Sequence, residues 1–510
     1  MSLIHRLSNR TRQRGQAILW FLTTAAACCA VFALVYNVGQ VTNEKEKTVN
    51  AADASAISGA LTEARILNFE AYTNRALIAN EVSIAQLVSL DSWFEYNYEI
   101  TQWLDNYFGW IPYVGEVLNT IATGMQEAAS AIKTYLVPPG IYAIEAMNTG
   151  LESARDLENA VGAFAANGIA AGVANANQTT FGNRYDEQPE IVSGFSLIAA
   201  GANEYAWYKF TDPYAGDQRK DAKKVILNSR DPFSTHRGNG LLFSIIDTAS
   251  AIASGGGWIA PYLSIDKTSG SSDLKDYSDW EAQDSADLTL HHLGVCGTFP
   301  FNYPCVQSDA LPAPFGYGRA DADSDSSTGD NLCWVSPSTA NCDLAMQNSD
   351  NFSWQGPFVQ ISGDTGLPDI RDLSQGLAKD GPCSKNNGSD GPSLTFLSAV
   401  QKKGAATMTT PRLGMDVDTP GPLGSVKVVD NLQNSDKLTS IATACTFFLR
   451  PDLNQNDRTQ GSLARVDGVH EFASLYNPYW QARLGTTDSA MKAVLYGVIG
   501  ANPFVALVTP

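Results

Sequence analysis

No proline occurs before Pro112, so nothing N-terminal of it forces a helix to kink or stop. Positive charge is scarce: 34 Lys and Arg face 53 Asp and Glu, a net charge of −19. That balance excludes nucleic acid or another polyanion as a main partner. Catalytic signatures are missing as well. There is no GxSxG elbow, no P-loop and no HExxH, and His470-Glu471 lacks the second His of a zinc-protease helix. Ser272-Asp273-Leu274-Lys275 is a lone SxxK without a companion motif. The outside histidines His236, His291, His292 and His470 are scattered, and only the adjacent His291 and His292 form a pair to consider as ligands. CxxC spacing and fixed-period repeats are absent too. The expectation is a protein that is not an enzyme.

What is present begins with residues 17–36, which carry no charge, Pro or Gly. About 20 helical residues at ~1.5 Å each cross a hydrocarbon core of ~30 Å. Arg6, Arg10, Arg12 and Arg14 precede the segment without an acid, whereas Glu44, Lys45, Glu46 and Lys47 beyond it cancel. Basic flanks stay cytoplasmic, which predicts a leader (1–15), a single membrane helix (16–38) and a C-terminus outside. A cleaved signal competes with this reading, because Ala25 and Ala27 before Cys28 are small. A cut there would leave an apolar stub, and a lipoprotein signal wants Leu where Ala25 stands.

Apolar spacing of three, four or seven continues past the membrane through Val49, Ala52, Ala56, Ala60, Ala64, Leu67, Ala71, Ile78, Ala85 and Val88. Asp53, Glu63, Arg65, Glu70 and Arg75 fall on other faces. One helix is predicted from about residue 16 to about residue 90. Ala52, Ala56, Ala60, Ala64, Leu67 and Ala71 are its packing residues, small enough for close helix approach. Two partners stay open for that stripe: other subunits, or the chain's own globular body. An aromatic cluster from Trp93 to Tyr113 follows. Further helices are expected to end near Leu136 ahead of Pro138-Pro139, to run from about 141 to 174, and to run from about 189 to 209. Residues 39–210 thus read as a long-helix stem or bundle.

After Thr211 short apolar runs alternate with Ser, Gly, Asp and Pro clusters, the mark of β structure with long loops. Residues 211–510 are expected to form a β-rich outer domain, with a strand over 441–449 and a helix near 489–499. The fold class is α+β: a transmembrane helix continuing into a helical stem, then a β-rich, disulfide-bonded distal domain. Cys28 and Cys29 lie in the apolar helix, while Cys296, Cys305, Cys333, Cys342, Cys383 and Cys445 lie outside. An even count in an oxidising compartment reads as a disulfide framework, here paired in sequential order. Asp321, Asp323 and Asp325 begin like a Ca²⁺ loop, but Ser326 and Leu332 depart from the EF-hand pattern. Asp273, Asp276, Asp279 and Asp284 form a second acidic stretch that reads as a solvated face.

Arg14-Gly15-Gln16, the apolar helix, Val38-Gly39 and Asn50-Ala51-Ala52-Asp53-Ala54 with Gly59-Ala60 resemble the N-terminal region of TadE/TadG-like proteins of the Tad (Flp-type) pilus system. Tyr72-Thr73-Asn74-Arg75-Ala76, Ser229-Arg230-Asp231-Pro232-Phe233 and the run from Asn477 to Leu484 look like motifs of the larger Tad-type proteins. The resemblance implies a bacterial pilus component: a minor pilin, tip or initiation subunit acting by helix packing and surface binding. Implied partners are other pilus subunits or the inner-membrane assembly platform, membrane lipid, and a prepilin peptidase cutting between Gly15 and Gln16. Implied locations are the bacterial inner membrane and the extracellular pilus. Such a cut would put Trp20 where related pilins carry Glu, and the DxSxS motif of a von Willebrand A domain is missing, so no metal site is carried over. Two alternatives stand beside this: a permanently anchored assembly factor, and an anchored hydrolase whose groups converge only in the fold.

Overall fold

The structure, a computed structural model, describes residues 16–110, 112–179, 193–211, 217–238, 262–275, 277, 279–297, 302–322, 359–361, 363–373, 392–403, 437–450 and 473–486. Helix α1 is Gln16–Phe108 and runs beyond its predicted end near residue 90. The aromatic cluster keeps helical spacing, with Tyr96, Ile100 and Leu104 buried at every fourth position. The helix closes on Gly109, whose N–H donates to Asp105 O at 2.8 Å, just ahead of Pro112. Helix α2, Val114–Ala131, follows a Tyr113 held at φ 66°. A Cβ on Gly115 would lie 1.9 Å from the Gly109 carbonyl oxygen, so this turn closes only over glycine.

Pro138 and Pro139 do not separate two helices, contrary to expectation. A π-helical turn, Ile132–Leu136, leads directly into α3, Val137–Thr179. Both prolines sit in the first turn of α3, where a missing N–H matters least, and the wider turn before them leaves room for their rings. Helices α4 (Ser193–Phe210), α5 (Asp217–Asn228) and α6 (Pro232–Thr235) follow, so the region after Thr211 starts helical rather than β. Asp231 caps α6 by accepting from Ser234 N at 3.1 Å, with Pro232 in the first turn.

Strands β1 (Tyr262–Lys275), β2 (Asp279–Cys296), β3 (Tyr303–Ala322) and β4 (Val359–Gln360) form one sheet in that order, with only β4 parallel to its neighbour. Strands β5 (Leu394–Lys403), β6 (Lys437–Phe448) and β7 (Trp480–Gly485) form a second, antiparallel sheet. The architecture is α+β.

The chain folds into two compact units, and neither is a continuous stretch. One draws on Met1–Ala71, Leu157–Asp212 and Leu373–Pro510, the other on Tyr72–Asp156 and Pro213–Asp372. This cuts across the sequential division into a stem at 39–210 and an outer domain at 211–510. The reason is that α1 and α3 are each long enough to supply a face to both units.

In the first unit, Ala52, Ala56 and Ala60 pack with Ala166, Ala170 and Ala174 of α3 and with Phe396 and Val400 of β5. Ala64 and Leu67 join Trp207, Phe210, Phe448 and Trp480. Small residues are needed there: a Cβ on Gly59 would lie 2.2 Å from the Phe396 ring. Both edges of the second sheet are closed by asparagine side chains, which carry a donor and an acceptor side by side. Asn203 of α4 accepts from Leu397 N at 3.1 Å and donates to Leu397 O at 3.2 Å on β5. Asn68 of α1 accepts from Trp480 N and donates to Trp480 O on β7, both at 2.9 Å.

In the second unit, Asp284 of β2 is the centre of a buried ion cluster. Its carboxylate takes Arg237 Nε at 2.9 Å, Lys267 Nζ at 2.6 Å and Ser92 Oγ at 2.8 Å. Lys267 also lies over the Tyr96 ring, 4.7 Å from its centre, and burial pulls its ammonium below the usual value against the opposing pull of Asp284. The second acidic stretch is therefore not a solvated face at Asp284.

Candidate functional site

The N-terminal part of α1 differs from the rest of the molecule. Ile18, Leu19, Trp20, Phe21 and Leu22 are each more than 60 % exposed, and five successive residues point around the whole circumference of a helix. Val31, Phe32, Val35 and Tyr36 continue the pattern. A surface helix of a water-soluble body shows one apolar face; a helix apolar all round belongs in an apolar medium. The two threonine hydroxyls in the stretch are satisfied within it. Thr23 donates to Leu19 O at 2.9 Å and Thr24 to Trp20 O at 2.7 Å, which spares those hydroxyls the cost of desolvation in hydrocarbon. Cys28 and Cys29 are exposed free thiols. The helix passes the length and composition criteria for a membrane span. Just past it, Glu44 and Lys47 pair at 3.0 Å.

Asn37 is buried singly just past the apolar stretch, and sustained one-sided burial starts further along, at Thr48. From Ala51 the helix is covered by its own unit, and all six of Ala52, Ala56, Ala60, Ala64, Leu67 and Ala71 are buried at 1 % exposure or less. Of the two partners left open for the small-residue stripe, the structure places the chain's own body against it.

Residues 15–62 match the Tad family, described as Flp pilus-assembly TadE/G-like. The chain carries a TadE/G-like Tad segment. No curated protein and no solved structure matches the chain. The Tad segment takes in the exposed apolar helix and the first half of the buried stripe, so the family signature covers both the part of α1 that has no cover and the part that roots it. The family to which that segment is similar is one of Flp pilus assembly, and in this chain the segment includes a helix long and apolar enough to cross a membrane.

The other sequence candidates are dispersed. Gln16 is the first residue of α1, and Gly15 lies outside the described residues. Cys296 and Cys305 form a disulfide across β2 and β3, with Cα atoms 5.7 Å apart. Cys445 is also disulfide-bonded; Cys333, Cys342 and Cys383 lie outside the described residues, as do Asp323 and Asp325. Asp321 falls near the end of β3. His291 and His292 are neighbours on β2, where successive side chains point to opposite faces, so the strand does not direct both to one ion. Ser272 of the SxxK run donates to Ser234 O at 2.9 Å, a structural bond.

Buried acids on α1 went unread. Glu63, Glu70 and Glu81 are completely buried, although the apolar spacing puts the first two on other faces than the small-residue stripe. The sheet elements cover that face, which the apolar pattern did not register. Their spacing was the available signal: Glu63, Glu70 and Glu81, with the buried Asn74 between the last two, recur at seven, four and seven, one line along a helix. Glu63 Oε2 accepts from Thr446 Oγ1 at 3.0 Å, and burial drives its carboxyl up to about 8 against that bond. Burial likewise lifts Asp91 to about 7, with Lys133 opposing and Glu95 assisting.

Proposed function

We propose that the protein is a minor subunit of a Tad-type pilus, acting at the tip or at initiation rather than as the repeating shaft. The observation that carries this is the all-round exposure of residues 17–36 within the Tad segment, on a helix that runs unbroken into a folded body. The basic leader holds the N-terminus in the cytoplasm and the body outside the inner membrane. The apolar helix is stored in the bilayer and, on assembly, exchanges lipid for the apolar helices of neighbouring subunits. A prepilin peptidase cut between Gly15 and Gln16 would release it from the charged leader. Since the stripe from Ala52 to Ala71 is occupied by the chain's own core, docking falls to the part of α1 before it, and the body is left to bind at the surface.

A second reading is favoured by that same occupied stripe: a permanent inner-membrane assembly factor needs no free stem. Mass spectrometry of the mature N-terminus, on protein from sheared filaments and from inner membrane, separates the two. A chain starting at Gln16 in the filament fraction is expected. An intact leader confined to the membrane would replace the pilin reading with the resident factor.

A further inference from the structure

Within the first unit, helix α3 is apolar on two opposite sides. Its inner side, with Ala163, Ala166, Ala170 and Ala174, is buried in the core. On the outer side Leu157, Val161 and Phe164 are 66, 46 and 72 % exposed. Gly168 is exposed in line with them, and Ala171 and Asn175 are half-buried. The steps from 157 to 161, 164, 168, 171 and 175 alternate between four and three residues, so the six positions form one narrow line along the helix. That is the a/d seam of a coiled coil, with Val161, Gly168 and Asn175 at a and Leu157, Phe164 and Ala171 at d. In a chain of net charge −19, residues 159–179 contain no Asp, Glu, Lys or Arg.

The height of this seam excludes lipid as its cover. Ser55 Oγ donates to Ala170 O at 2.7 Å, and Ser55 stands about 28 Å along α1 beyond Tyr36, where the apolar segment ends. Further out, Gly162 lies against Ile66, so α3 runs antiparallel to α1. Two copies anchored in one bilayer by their α1 helices therefore present α3 in the same direction and at the same height. A parallel pair in register sets each seam residue against itself. An acid there would meet its own charge; this uncharged line meets only apolar, small or amide groups.

Two residues of the seam fit a helix partner rather than the chain's own packing. A Cβ on Gly168 would meet nothing within 4 Å, so the fold itself does not call for glycine there, and glycine weakens a helix interior. A helix approaching beside the Phe164 ring uses that space. Asn175 is the single polar residue at a, the kind that fixes register and strand number in parallel pairs.

We propose that two copies of the chain pair side by side through a parallel seam of their α3 helices, Leu157 to Asn175, standing outside the bilayer. The pairing rests on the placement of residues 17–36 in the membrane, and it applies to a pilus subunit before assembly and to a resident factor alike.

Disulfide cross-linking of the full-length chain in membranes of the producing cells tests this, in a background carrying Cys28→Ser and Cys29→Ser. Val161→Cys is expected to give a reductant-sensitive band of twice the chain's mass, at least about fivefold stronger than Ile169→Cys, because a disulfide forms only between close Cβ atoms. Ile169 is also exposed, but on another side of α3. Adding Phe164→Glu to Val161→Cys is expected to weaken the band about tenfold or more, since it sets two carboxylates against each other. Phe164 is exposed, so the thermal transition should not move. Bands of equal strength at 161 and 169, a band that survives Phe164→Glu, or no band from protein retained in the membrane pellet after carbonate extraction would each overturn the pairing. So would a Val161→Cys product of some other mass, which would give the seam to a different subunit. Loss of the protein to the soluble fraction would overturn the anchor itself, and the pairing with it.

Discussion

Glu63 and Asp284 show two opposite ways of burying a carboxyl. Glu63 has a hydroxyl for company and, among the described residues, no ion pair, and its folded value of about 8 lies above the ordinary 4.5. In that interval the unfolded chain has released the proton and the folded chain has not, so stability falls as pH rises, at ~1.4 kcal/mol per pH unit and up to ~3–5 kcal/mol in all. The melting temperature is expected to drop between pH 5 and pH 8, and Glu63→Gln to flatten that slope in scanning calorimetry, because the amide can still accept from Thr446. Asp284 instead faces Arg237 and Lys267, both almost fully buried. Asp284→Ala would leave two cations without their counter-charge and is expected to cost about 3–5 kcal/mol. Urea unfolding should show a lower midpoint at unchanged slope.

Among the elements, α1 is the most informative because its character changes along its length. Up to Tyr36 it is apolar on every side; from Ala51 it has a small-residue face against α3 and an acid-bearing face against the sheets. Asn68 shows how the two kinds of structure are joined, since its side chain completes the edge of β7. The β2 and β3 hairpin is closed at its far end by Cys296 and Cys305, a short loop worth about 2.5 kcal/mol in chain entropy. Cys296→Ser with Cys305→Ser is expected to speed exchange in amides 291–297 and 302–307 while leaving β5 to β7 unaffected. Mass-resolved exchange with and without the disulfide checks this.

On the scale of the whole molecule, the exposed helix and the two folded units do different work. The units hold their own cores and need no membrane to cover them, whereas residues 17–36 have no cover of their own. An arginine in the middle of that stretch, Leu22→Arg, is expected to cost ~2.5–3.5 kcal/mol of insertion free energy. Carbonate extraction should then move much of the protein from the membrane pellet to the soluble fraction, with the thermal transition of the units unchanged. If the protein stayed in the pellet, the anchor would have to lie elsewhere.

Local pattern alone was enough for the apolar helix, the Tad resemblance, the α+β class, the strand around 441–449, and the Cys296 to Cys305 bridge. Each depends on neighbours in sequence, on periodicity, or on a pairing between cysteines close along the chain. Only the tertiary structure could show that Pro138-Pro139 lie inside a helical run, because a preceding π turn absorbs them. The same holds for the two discontinuous units, for the cover over the alanine stripe, and for Glu63, Glu81 and Asp284 as buried groups. A helical wheel tells which residues share a face but not what lies against it. For α1 that was decided by segments hundreds of residues away: β5, β6 and β7 against residues 52–68, and β2 with its ion cluster against residues 81–96.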